Sequence, residues 1–298
     1  MSKVVLISGA SSGIGQKIAE QLHQEAYRVF GTKLPHETLD EPTPYTLLNL
    51  DVSSDDSVRA CIDEVFRQAG RLDVLVNNAG FALTGAIEET SLAEAKHQLE
   101  VNFWGAVRLT QAALPHMRTQ GSGYIINMSS LLGLYGTAFS GFYAASKHAL
   151  EGYTKSLRYE VGPFGLKVCM IEPGFVRTDF MQHRRSAAHS IPAYSQMQSR
   201  LLEFGAKNLE QGFPPERIAE TVSLILKTPQ PNLSYPLFLD SFSAMSARLS
   251  EPMRERTLHM LMGVYEPNWG ALPLVGLATA GLGVGAYLWL RGQQARGK

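Results

Sequence analysis

Cysteine is scarce: only Cys61 and Cys169 occur in 298 residues. Two thiols exclude a disulfide framework and suit a reducing compartment, each as a small apolar filler. No charge of one sign dominates, since 27 basic residues face 27 acidic ones, and nothing electrostatic points to nucleic acid. The eight histidines show no metal-ligand spacing, so no metal site is expected. A secretory core is lacking, because the apolar run Val4 to Ile7 is too short. Without a route to a lumen, the sequons at Asn127 and Asn232 carry little weight.

The chain is long enough to bury a large core. Val4-Val5-Leu6-Ile7 reads as a buried parallel strand. It runs into Ser8-Gly9-Ala10-Ser11-Ser12-Gly13-Ile14-Gly15, and a helix with apolar Ile18, Ala19 and Leu22 follows. Strand, glycine-rich turn and helix together suit a dinucleotide: glycine lets the backbone approach a pyrophosphate, and the helix N-terminus offers free N–H groups. The spacing is Gly-x-x-x-Gly-x-Gly. The second strand, Tyr27 to Thr32, ends at Lys33, where an acidic residue would bind the adenosine ribose of NAD. An ammonium there attracts a 2′-phosphate. NADP is therefore the expected cofactor, with NAD as the alternative.

Further strands are expected at Thr46 to Leu50, Asp73 to Val76, Tyr124 to Met128, Leu166 to Ile171 and Pro236 to Leu239. Asp51, beside Val52, is placed to reach an adenine edge. Ser53 or Ser54 should cap a helix running to Ala69. The fourth strand ends in Asn77-Asn78-Ala79-Gly80, small and amide residues that suit a cofactor crevice or a hydrogen-bond network across the sheet. One long helix is expected from about Leu92 to Met117, with Asn102 an ill-fitting residue inside it. The fifth strand delivers Ser129 and Ser130 to the same edge of the sheet.

Phe142-Tyr143-Ala144-Ala145-Ser146-Lys147 opens a helix with no proline before Pro163. Tyr143 and Lys147 share one face, a turn apart. A free phenol titrates near ~10, and an adjacent positive charge lowers that by roughly one to three units, which suits proton exchange near neutral pH.

These motifs resemble the short-chain dehydrogenase/reductase family. The Gly9…Gly13-x-Gly15 turn, Asn77-Asn78-Ala79-Gly80, Asn102, Ser130, the Tyr143/Lys147 pair, and Pro173-Gly174 followed by Thr178 occur in family order and spacing. The resemblance implies an α/β, doubly wound parallel sheet. It implies that Tyr143 exchanges a proton with the substrate oxygen, that Lys147 tunes Tyr143 and holds the nicotinamide ribose, that Ser130 hydrogen-bonds the substrate oxygen, and that Asn102 holds a water linked to Lys147. Gly9, Ser11, Ser12, Gly13, Ile14, Gly15, Lys33, Asp51, Val52, Asn78, Ala79, Gly80, Tyr143, Lys147, Pro173, Gly174, Val176 and Thr178 are the cofactor-binding set. The region from Pro214 to Met262 is similar to the hydroxysteroid and retinol branch, which implies an apolar alcohol or carbonyl substrate, with Phe81, Leu83, Leu132, Tyr135, Phe139 and Phe175 as pocket candidates. The family often forms dimers or tetramers through the helices carrying Asn102 and Tyr143. A non-catalytic nucleotide-binding scaffold is the competing reading.

The expected organisation is one Rossmann domain over 1–240, with a polar, irregular substrate lid at 179–214. A helix begins at Pro215. A helical extension at 241–270, a membrane-anchoring segment at 271–290 and a basic tail at 291–298 follow. Ala271 to Leu290 carries no charge, and as a helix it would span roughly 30 Å, about one bilayer core. Trp269, Tyr287 and Trp289 lie near its ends, as interfacial aromatics do. Attachment through it would leave the catalytic domain in the cytoplasm; a soluble cytoplasmic protein is the alternative.

Overall fold

A computed structural model describes residues 2–38, 41–181 and 184–237. In chain order these form β1 (Val4–Ile7), α1 (Gly13–Gln24), β2 (Arg28–Lys33), β3 (Thr46–Asn49), α2 (Asp55–Ala69) and β4 (Val74–Asn77). There follow β5 (Leu83–Thr84), α3 (Leu92–Leu99), α4 (Gly105–Gln120), β6 (Gly123–Met128), α5 (Gly141–Val161) and β7 (Leu166–Pro173). The last elements are β8 (Arg185–Ser186), α6 (Ser195–Glu210), α7 (Glu216–Lys227) and β9 (Ser234–Leu237).

Seven strands make one parallel sheet in the order β3-β2-β1-β4-β6-β7-β9, the doubly wound arrangement that the motifs imply. Parallel neighbours need crossovers, and the helices supply them: α1 packs with α7, and α2 with α4. Because both faces are covered, central strands are apolar throughout rather than alternating; all four residues of β1 and of β4 are buried. Phe30, Leu6, Leu75, Ile125 and Leu109 are fully buried in the shared core, and each such side chain contributes roughly 1.5–3 kcal/mol. The order reverses between β1 and β4, which opens a crevice at the carboxyl ends of those strands.

Among the described residues the expected element boundaries hold within a residue or two, while positions 238–239 of the expected last strand lie outside them, and Ser54 is the cap of α2, accepting from the Ser57 N–H at 3.3 Å. Two expectations change. The long helix from Leu92 is two helices joined by a π-helical turn over Glu100–Trp104 that contains Asn102. The 179–214 stretch is not irregular throughout, since α6 occupies sixteen residues of it. Its partly buried positions recur near 197, 201, 204 and 208, a helical period that its many Ser and Gln residues obscure. The expected extension 241–270, segment 271–290 and tail 291–298 lie outside the described residues. Among the described residues no helix is long and apolar enough to cross a membrane, and no group of acidic, His or Cys side chains is arranged to hold a metal.

Candidate active site

The glycine-rich turn is shaped by what touches it. A Cβ on Gly15 would sit 2.0 Å from the Gly9 carbonyl oxygen and 2.6 Å from Asn78 Nδ2. The start of α1 therefore packs directly onto the turn. Gly13 has φ +56, and a Cβ there would meet only Thr178, at 3.7 Å, so it faces open crevice. The Ser12 side chain makes no cap bond, and the first turn of α1 holds no acidic residue. Its N–H groups are thus suited to an anion, as a bound dinucleotide pyrophosphate requires.

Asn78 braces this turn, since its Nδ2 donates to the carbonyls of Ser8 (3.0 Å) and Gly9 (2.8 Å). The Ser8 hydroxyl in turn accepts from the backbone of Asn78 and Ala79. Asn77 is structural: Nδ2 donates to Thr110 Oγ1 at 3.0 Å and to Asn127 Oδ1 at 2.8 Å, and Asn127 donates to Thr154 Oγ1 at 2.8 Å. This buried network ties β4 and β6 to α4 and α5. It also leaves Asn127 fully buried, out of reach as a sequon.

At the rim of the crevice, Lys33 ends β2 and donates to the Glu37 carbonyl at 2.6 Å. Asp51 accepts from Ser53 through both N–H (2.9 Å) and hydroxyl (2.6 Å), which holds its carboxyl below the usual range. Val52 is buried against Gly105. Gly80 is exposed, with Asn102 Oδ1 3.0 Å from where a Cβ would lie. Across the crevice, Gly174 N–H donates to the Leu237 carbonyl, extending the segment after Pro173 along β9. Val176 is bridged to Phe213, which sets Thr178 opposite Gly13.

Ser130, Tyr143, Lys147 and Asn102 converge at the same edge. Tyr143 is half-buried, and burial raises its pKa, while a hydrogen-bonding interaction with Ser130 pulls the other way. Lys147 is buried, its Nζ 5.8 Å from the Tyr143 ring centroid and donating to the Met128 carbonyl at 2.7 Å. Burial pushes its ammonium down to about 8, and Glu151 opposes that shift. A hydrogen bond with Ser130 favours the phenolate, and the Lys147 ammonium is turned toward the Met128 carbonyl. Asn102 is released by the π-helical turn to bond Phe81 and to donate to Ser146 Oγ at 3.3 Å. A phenol, a hydroxyl and an ammonium grouped at an open crevice can exchange a proton with a substrate oxygen and stabilise charge on it.

Of the pocket candidates, Phe139 and Leu83 are buried. Phe81 lies against His97 with the Arg185 guanidinium over its ring, and Phe175 meets Phe204 of α6. Sequence reasoning passed over Phe180, whose ring is 6.3 Å from that of Tyr143, and the buried acids Glu151 and Glu172. The spacing of Glu151, four residues beyond Lys147, was the available signal.

A family model described as short chain dehydrogenase matches residues 3–189. The chain is 33% identical to a 3-ketodihydrosphingosine reductase of Bacteroides thetaiotaomicron over 268 residues, 88% of this chain and 98% of that one. It is 42% identical to human retinol dehydrogenase 8 over 190 residues, 60% of each chain. A short-chain dehydrogenase from Streptomyces avermitilis has a similar structure, with TM-score 0.75, 34% identity, and 89% of this chain and 98% of that one covered. So does the alcohol dehydrogenase from the archaeon Thermococcus sibiricus complexed with 5-hydroxy-NADP, with TM-score 0.64, 27% identity, and coverage of 82% and 98%. The chain belongs to the short-chain dehydrogenase family, and it is an NAD(P)-dependent oxidoreductase.

Proposed function

We propose that this oxidoreductase interconverts an apolar alcohol and its carbonyl, with NADP preferred over NAD, through Ser130, Tyr143, Lys147 and Asn102. The observation that carries the reading is the Tyr143 phenol beside both the Ser130 hydroxyl and the buried Lys147 ammonium. A nicotinamide dinucleotide, when bound, would supply the hydride in reduction and accept it in oxidation. Tyr143 gives its proton to the carbonyl oxygen, or takes one from the alcohol. Ser130 donates to the same oxygen as charge develops. Lys147 would hold the nicotinamide ribose, and Asn102 keeps the Phe81 backbone in place through its two hydrogen bonds. The glycine turn, Ser11, Ser12 and Ile14 would hold the pyrophosphate end, and Asp51, Val52 and the Asn78-Ala79-Gly80 tip would hold the adenosine.

NADP preference rests on Lys33. One of its three ammonium donors is spent on Glu37, and two remain for a 2′-phosphate. An apolar substrate is supported by the aromatic rings of Phe180 and Phe81 at the crevice and by relatives named for a ketosphingoid base and for retinol. The exposed Trp104, in the π-helical turn before α4, and Tyr159, on α5, support pairing of copies through these two segments. The uncharged stretch 271–290 supports membrane attachment, and deleting 271–298 should then release the protein from a membrane fraction.

The deciding experiment follows consumption of NADPH and NADH in parallel on carbonyls from short aldehydes to retinoids and steroids. Turnover on bulky apolar carbonyls, faster with NADPH and reduced toward NADH rates by Lys33→Ala, is the expected result. Faster turnover with NADH would overturn the Lys33 argument, and turnover restricted to small polar carbonyls would overturn the apolar pocket.

A further inference from the structure

Tyr143, Lys147, Glu151 and Lys155 recur every four residues along α5 and so form one stripe. The stripe runs from crevice to surface. Lys147 is 5% exposed and Glu151 3%, whereas the Lys155 side chain is 52% exposed. Glu151 takes no part in the reaction above. Its Oε2 faces Lys155 Nζ at 3.5 Å, and its Oε1 is buried without a hydrogen-bond partner. Ser129 Oγ, just past β6, is buried and unpartnered too. The two atoms border one space: a Cβ on Gly133 would lie 2.6 Å from Ser129 Oγ and 3.2 Å from Glu151 Oε1.

A buried carboxylate is costly unless a charge or donors offset it. The groups facing this one can be named. On α5 they are Lys147 and Lys155. Arg158, further along α5, is engaged with the Val168 and Pro231 carbonyls at 2.8 Å each. From β7 comes Glu172, which accepts from the Ser234 hydroxyl and repels Glu151. The cation enclosed with Glu151 is therefore Lys147, one helical turn away.

We infer that Glu151 is a positioning residue that keeps the Lys147 ammonium charged inside the protein, with Lys155 as its outer partner and Gly133 leaving room for its carboxylate. The consequence for turnover rests on the role proposed for Lys147; the charge state does not. Burial alone drives Lys147 toward the neutral amine, and Glu151 is the group that resists this. A neutral amine would donate more weakly and would no longer favour the phenolate.

The test is a pH titration of the full-length protein labelled with 13C at lysine Cε, followed by NMR, with Lys147 assigned from a Lys147→Met sample. Glu151→Gln should lower the Lys147 midpoint by about one unit, and Glu151→Asp should recover most of it. Lys155→Gln removes a cation from an exposed position and should move the midpoint upward by a few tenths of a unit. The alkaline limb of the kcat–pH profile should shift in the same directions. An unmoved Lys147 midpoint in Glu151→Gln overturns the inference. If that variant does not fold, the exposed Lys155→Gln decides, and no upward shift overturns the inference. Midpoints that shift as expected in a protein without turnover support the charge pairing while counting against the catalytic reading alone.

Discussion

Asn102 clasps the backbone of Phe81 from both sides, accepting from its N–H at 3.0 Å and donating to its carbonyl at 3.0 Å. The side chain thereby takes the place of a neighbouring strand. Asn102→Ala leaves the Phe81 N–H without its partner, whereas the Phe81 carbonyl still accepts from Gln98 Nε2 at 2.9 Å, so a loss of about 1–3 kcal/mol is expected in urea unfolding. Asn102→Asp keeps the acceptor and loses the donor, and should fall between wild type and Ala. Equal stability of all three proteins would show that the clasp contributes nothing.

Two glycines of the same turn should respond very differently to alanine. At Gly15 the new methyl meets the Gly9 carbonyl at 2.0 Å, and backbone cannot swing aside. Gly15→Ala should abolish measurable cofactor binding. At Gly13 the cost comes from φ +56 alone, about 1 kcal/mol, with dinucleotide affinity weakened modestly. Calorimetric titration with NADPH separates the two, and similar losses would contradict the packing argument.

In its proposed role, Tyr143 should set opposite pH trends in the two directions. Burial raises its pKa, so the phenol stays protonated at neutral pH and carbonyl reduction proceeds there. Deprotonation of Tyr143 should stop reduction only as pH climbs past the ordinary phenol range, above the earlier decline that Lys147 sets, while alcohol oxidation, which needs the phenolate, should rise by up to roughly tenfold per unit on the way. Tyr143→Phe should lower kcat by about 10²–10⁴ and leave NADPH affinity within roughly twofold. Oxidation equally fast at about pH 6 and about pH 10 would exclude the phenol as the proton carrier.

Glu172 ties stability to pH. Burial pushes its carboxyl from 4.5 up to about 7. Between those values the folded chain holds a proton that the unfolded chain has released. The stabilising contribution is therefore complete below pH 4.5 and is lost as pH rises through about 7. Glu172→Gln should flatten that part of the profile, gaining up to about 2–3 kcal/mol relative to wild type at pH 8. A thermal-melt series in which both proteins show the same slope would contradict the assignment.

The parallel sheet was legible because its strands are short apolar runs followed by glycine, amide or serine residues. Ser130, Tyr143 and Lys147 were legible because a four-residue spacing on a helix and a strand tip fix where side chains go. Asn102 looked wrong for its helix, and it is: the helix changes pitch there, a tertiary event that propensity registers only as a misfit. The helix α6 was hidden because its polar residues blur the apolar period. Glu151 was missed because an acid four residues from a lysine reads as a surface ion pair until burial is known, and Glu172 because an acid at the end of a strand does not show whether it is buried.

The strand pair Leu83–Thr84 with Arg185–Ser186 is small, but it is one of several fastenings. Glu94 accepts from the Ala188 N–H, Glu89 from the Ile191 N–H, and Glu88 from the Tyr194 hydroxyl, each at 2.8 Å. Beyond the other end of α6, the Arg177 N–H donates to the Phe213 carbonyl and the Phe213 N–H to the Phe175 carbonyl. The helix is thus hung from two moorings rather than threaded through the core. A protease that nicked the chain within α6 would leave both halves still lashed to the body, and the cut enzyme would travel as one particle until denatured.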